Sequence, residues 1–315
     1  MHRLAPSPLE QPHAAASPAI TVERVAYHGW SDCYRIANGL VAAVVIPAIG
    51  RVMQFGLEGA AGVFWENRAL DGHLHDAAAD EWVNFGGDKC WPAPQAVWTG
   101  QQGRDWPPPE GFDSRPARAS MIERGVMVTS AIDPGFGIQV VRWVELEPSK
   151  PVLRIRSEYR KQRGQAVRVG IWSITQLRDP ELVGFLLPSQ SRFAGGYIRL
   201  MTAEPKELKI AGRVLTLRRH PRQCAKIGSD GGSLAWVGGD CALRIDAESG
   251  QGEFPDGGCV TEIYTNPDPM AYVELETLGP LTTLHTGQRM ARTTTYTLRA
   301  RMRADDEAEA RSLLT

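Results

Sequence analysis

The sequence predicts an all-β protein of packed antiparallel sheets with few short helices. Period-two alternation of apolar and polar residues recurs along the chain, helical periodicity is scarce, and 32 glycines and 22 prolines in 315 residues supply frequent turns. A chain of this length can form one large β domain, because all-β folds often exceed the usual domain size without dividing.

Strands are predicted first at 41–46, 51–57, 62–66 and 121–132. In the next, Ile138, Val140, Arg142, Val144 and Leu146 alternate with Gln139, Val141, Trp143, Glu145 and Glu147. Leu153, Ile155 and Tyr159 then alternate with Arg154, Arg156 and Glu158, and the Pro148-Ser149-Lys150-Pro151 link makes the two runs a hairpin. Further strands are expected at 167–175, 234–237, 241–246, 259–265, 271–278 and 281–284. A last one carries Tyr296, Leu298, Ala300 and Met302 on one face. Residues 304–314 read as a helix, with Asp305, Asp306 and Glu307 at its start and Arg311 near its end, as the helix dipole favours.

This gives a flexible tail over 1–19, one β domain over 20–303 and a short helix over 304–315. The stretch 67–118 lacks alternation but holds four tryptophans, which disordered segments rarely do, so it is expected to be an ordered loop system over a site. The first 19 residues lack the apolar run of a signal peptide, and no stretch approaches the roughly 20 apolar residues of a membrane span.

With 35 basic and 36 acidic residues and no long run of either sign, a nucleic-acid partner is not expected. The five cysteines, Cys33, Cys90, Cys224, Cys241 and Cys259, are widely spaced and include no CxxC pair. Free thiols, and hence a cytoplasmic address, fit that pattern. His73 and His75 stand near Asp71, Asp76 and Asp80, yet DGHLHDAAADE reads as a solvated turn, and no metal or organic cofactor is expected.

Two segments carry most of the chemistry. In NFGGDKCWPAPQ, Asn84 to Gln95, paired glycines permit a tight turn or close approach, and Pro92 and Pro94 hold the chain extended. The segment from Phe254 to Leu281 contains a strand on which Tyr272, Glu274, Glu276 and Leu278 share one face. A carboxylate on such a partly apolar wall can have a raised pKa and transfer protons, whereas on a solvated face it is screened.

Together with IGRVMQFGLEGAAGVFWEN, KIG, FPDGG, EIYTN and VELETLGPL, these segments resemble the bacterial family named domain of unknown function 4380. That family is related to the galactose-mutarotase-like proteins, and the resemblance spans roughly 25–300. It implies a β-supersandwich with a sugar-binding cleft on one large sheet. It also implies a late-chain glutamate as general base, placed at Glu276 in preference to Glu274. The histidine acid of the mutarotases has no counterpart, since VRVGIWSITQL offers Trp172, Ser173 and Thr175 instead.

Candidate groups follow. Lys89 can donate a proton, while Asp88 and Gln95 can bind sugar hydroxyls; a surface ion pair is the other reading of Asp88 and Lys89. Arg51 suits an acidic sugar or an internal carboxylate. Trp91, Trp98 and Trp172 can offer faces to a sugar ring or fill the core. Asp256 and Lys226 either line the cleft or serve turns and strands. The expected ligand is a small-molecule sugar or sugar derivative. The expected activity is acid/base mutarotation or epimerisation, with non-catalytic carbohydrate binding as the alternative.

Overall fold

The computed structural model describes residues 19–75, 82–205 and 207–315. The tail expected over 1–19 therefore lies outside the described residues except for its last. Two antiparallel sheets, one of eleven strands and one of ten, face each other. The first runs in the order Thr21–Tyr27, Trp30–Ala37, Val41–Ile46, Arg51–Leu57, Asp88–Ala93, Val167–Arg178, Tyr272–Leu278, Thr261–Thr265, Ala225–Ser229 and Ile198–Arg199. Thr282–Leu284 pairs with one end of Val167–Arg178.

Between the sheets lies an apolar core that includes Phe55, Phe64, Val144, Leu153, Phe185, Trp236, Leu275 and Tyr296. Burial of these side chains, at about 1.5–3 kcal/mol each, is the main force holding the sheets together. The helix Asp306–Leu314 is capped by Asp305, whose side chain accepts from the Ala308 amide at 2.7 Å. Its Ala310, Leu313 and Leu314 pack on the outer face of the second sheet against Leu182, Val214 and Ala235.

Several expectations are corrected. The run 121–132 is a hairpin, Arg118–Ile122 paired with Gly125–Ile132, because the chain turns at Glu123-Arg124. Residues 62–66 make only isolated bridges, Phe64 to Leu177 and Glu66 to Gly86. The loop system over 67–118 contains the central strand Asp88–Ala93, followed by short helical turns at Gln95–Val97 and Trp98–Gln102. The last strand spans Arg289–Ala300 and stops short of Met302.

All five cysteines are unbridged. Thiol titration of the denatured, unreduced protein is expected to recover five thiols, and a reproducible shortfall would contradict this. Among the described residues, no helix is long and apolar enough to cross a membrane.

Candidate functional site

The outer face of the eleven-stranded sheet collects the chemistry. Directly paired residues of an antiparallel sheet point to the same side. Trp91 pairs with Trp172 and Lys89 with Ile174; on the other flank Gln176 pairs with Glu274 and Ile174 with Glu276. The hairpin beyond adds Glu262 opposite Glu276 and Tyr264 opposite Glu274, and Lys226 lies across from Tyr264. Five strands thus place their functional side chains on one surface.

At its centre is a buried charge cluster. Lys226 Nζ lies 2.7 Å from Glu262 and 3.0 Å from Glu276, and 4.7 Å from the centre of the Trp172 ring. Trp172 Nε1 donates to Glu276 Oε2 at 2.6 Å. Both carboxylates are fully buried, whereas the lysine side chain is 18% exposed and caps them. Burial raises the pKa of Glu262 well above the carboxylate range; Lys226 opposes this, and the neighbouring charges of Glu276 and Asp256 add to it. Glu276 is raised chiefly by burial too. Burial disfavours the ammonium of Lys226, yet the two carboxylates outweigh it and hold that pKa above its ordinary value.

A second pair lies beside the cluster. Lys89 Nζ donates to Glu274 Oε1 at 3.3 Å and sits 4.9 Å from the centre of the Trp91 ring. Gln176 Nε2 donates to the same oxygen at 2.8 Å. Lys89 is fully enclosed and burial lowers its pKa, whereas the Glu274 side chain remains 14% exposed. Tyr264 and Tyr272 flank that carboxylate, and burial with the Glu274 charge pushes the Tyr264 hydroxyl up to about 12.

Asp113 braces the aromatic wall. Its carboxylate accepts from Arg51 Nη2 at 2.7 Å, Trp91 Nε1 at 2.9 Å and Trp82 Nε1 at 3.1 Å. Arg51 also donates to the Gly86 carbonyl at 2.9 Å, so its partners are internal. Gly86 has φ +94°, and a Cβ there would meet the Trp65 carbonyl oxygen at 2.2 Å, which is why the turn before Asp88 needs glycine.

The structure therefore brings together Glu274, Glu276, Lys89, Trp91, Trp172 and Arg51. It corrects Asp88, which is fully buried between the sheets and ion-paired with Arg142, with Thr175 and Tyr296 hydroxyls each at 2.7 Å. Successive strand residues face opposite ways, so Lys89 and Asp88 cannot share the cleft. Gln95 is exposed and donates to the Asp105 carbonyl, apart from the cluster. Trp98 is core, its Nε1 bonded to the Pro92 carbonyl. Asp256 occupies a turn at φ +52° and acts on Glu262 through its charge.

Glu276 shares the cleft face but is enclosed beneath Lys226, so Glu274 is the carboxylate that reaches the opening. The NFGGDKCWPAPQ strand does not adjoin the VELETLGPL strand; Val167–Arg178 separates them, and Lys89 reaches across it. Glu262, Tyr264, Asp113 and Gln176 were not anticipated, although EIYTN contains the first two. Among the described residues no cluster of His, Cys, Asp or Glu is arranged to hold a metal ion, and Asp76 to Glu81 lie outside them.

No protein-family model matches the sequence, and no curated protein matches it either. Solved structures do. A candidate aldose 1-epimerase from Klebsiella pneumoniae superposes with a TM-score of 0.59 at 11% identity, covering 93% of this chain and 85% of the other. A galactose mutarotase-like protein from Clostridium acetobutylicum gives 0.57 at 9% identity, with coverage of 90% and 99%. One from Lactobacillus casei gives 0.56 at 10%, with coverage of 84% and 99%. The chain has the all-β, galactose-mutarotase-like fold.

Proposed function

We propose that this face binds a sugar or sugar derivative and carries out mutarotation or epimerisation by acid/base proton transfer, with Glu274 as the base. The observation that carries the reading is Glu274 itself: a carboxylate at the opening, oriented by Lys89 and Gln176 and flanked by Tyr264 and Tyr272. In mutarotation it takes the proton of the anomeric hydroxyl while the ring oxygen gains one and the ring bond breaks. Rotation of the aldehyde and the reverse transfers close the other anomer. Lys89 lies behind Glu274, so a bound water supplies the ring-oxygen proton. The ordered motifs support membership of the domain of unknown function 4380 family, and the free cysteines support a cytoplasmic address.

Glu274→Gln keeps the shape of the side chain but cannot accept the proton. Interconversion of a freshly dissolved single anomer, followed by NMR, is expected to fall about 100-fold or more, with affinity by calorimetry little changed. Full turnover in this variant rejects Glu274 as the base.

A second reading, non-catalytic carbohydrate binding, is favoured by one observation. The accessible cation, Lys226, is held firmly protonated by its two carboxylates and is a poor proton donor. A wild-type protein that binds a sugar but does not interconvert its anomers decides for this reading.

A further inference from the structure

The same outer face continues past Glu274 into an open cavity of ≈ 610 Å³, whose lining includes Tyr27, Arg35, Trp65, Glu66, Arg68 and Arg178. Its charges are matched with one exception. Arg35 pairs with Glu58, and Arg68 pairs with Glu66 at 3.3 Å and Asp71 at 2.8 Å. Glu66 also accepts from the Tyr27 hydroxyl at 2.6 Å and from Gln54 at 2.5 Å. Among the described residues the Arg178 guanidinium has neither a hydrogen bond nor an ion pair, and its Nε is buried without an acceptor. A buried donor left unmade costs free energy, so such groups call for an explanation.

The position of Arg178 supplies one. It pairs across the strands with Tyr272, and Gln176, two residues before it, pairs with Glu274. Two residues along a strand span roughly 7 Å, comparable to a sugar ring with its first substituent. Tyr272 packs on Trp65 with ring centres 4.7 Å apart, giving this stretch an aromatic lining.

We infer that the sugar taken by this face carries an oxyanion, a carboxylate or a phosphate ester, and that Arg178 binds it. This rests on the sugar-binding reading of the Glu274 face. A planar guanidinium matches either group with two parallel hydrogen bonds, and its charge has no other counterpart here.

Calorimetry with inorganic phosphate, a neutral hexose, its 6-phosphate and its uronate tests this. At least one anionic sugar is expected to bind about 10- to 100-fold more tightly than the neutral hexose, and the preferred one identifies the group as carboxylate or phosphate. Arg178→Met is expected to abolish that preference and leave the neutral hexose unchanged. Arg178→Lys keeps the charge without the planar fork and is expected to retain part of it, which also covers a Met variant that fails to fold.

Phosphate tests the anion site apart from the sugar. Phosphate binding lost in Arg178→Met, with no sugar bound by the wild type, would reject the sugar reading and keep the anion site. Phosphate binding unaffected by Arg178→Met, no binding of phosphate or any anionic sugar, or equal affinity for charged and neutral sugars would overturn the inference.

Discussion

Arg142→Met is expected to lower the free energy of unfolding by about 3–5 kcal/mol, the usual cost of stranding one member of a buried ion pair. Arg142 is 4% exposed, and its guanidinium reaches both the Asp88 carboxylate and, at 3.2 Å, the Asp88 carbonyl, while Nε lies 3.3 Å from the Ser157 hydroxyl. In its absence the fully buried carboxylate keeps, among the described residues, only the Thr175 and Tyr296 hydroxyls as side-chain donors. Those are neutral donors and cannot offset the charge. Against a typical total of about 5–15 kcal/mol, the loss would be evident as a large shift of the urea midpoint. Asp88→Asn in the same background removes the stranded charge and is expected to restore most of the stability. A single-variant loss below about 1 kcal/mol would mean that the pair does not anchor this strand. The consequence reaches the site, because the strand that buries Asp88 inward presents Lys89 outward.

That alternation also explains what the sequence conceals. Runs such as Ile138–Leu146 are legible because one face meets the core and the other meets water. Leu182–Leu186 and Val214–Leu217 are covered on both faces, by the core and by the helix Asp306–Leu314, so their apolar residues are continuous and periodicity is lost. Asp88–Ala93 is buried at every position for the same reason, and reading it as loop put Asp88 and Lys89 in one cleft. Within the site, the shared face of Glu274 and Glu276 follows from period two alone. Glu262 needed one further step: a hairpin from Thr261–Thr265 into Tyr272–Leu278 places it opposite Glu276. Lys226 comes from a strand separated by more than thirty residues from that hairpin, and only its KIG motif marks it. Which glutamate reaches the opening depends on that lysine covering one of them, a matter of tertiary packing with no local sequence signal.

Lys226→Met is expected to cost about 3–5 kcal/mol near neutral pH and much less near pH 4, because the lysine compensates two buried carboxylates. Burial raises the folded-state pKa of both Glu262 and Glu276 above the ordinary 4.5. A carboxyl raised in this way contributes its full stability below the unfolded pKa and loses it as pH climbs through the folded value. Without the ammonium both folded pKa values move further up, so the unfolded chain ionises at a pH where the folded chain still holds its protons. The unfolded chain titrates alike in both proteins, so the deficit of the variant relative to wild type is smallest at low pH and grows as pH climbs through the wild-type folded values, which lie above 4.5. In the wild type Lys226 is itself protonated across this range, its own pKa being raised, so the difference reports the carboxylates. Ion-paired carboxylates elsewhere, such as Glu158 and Asp306, whose pKa values are lowered, act equally in both proteins and cancel. Urea unfolding of both proteins at several pH values from 4 to 9 measures the effect. Glu262→Gln added to Lys226→Met removes one titrating group and is expected to flatten the dependence. A deficit independent of pH would show that the lysine acts through its packing on Trp172 and not through the carboxylates beneath it.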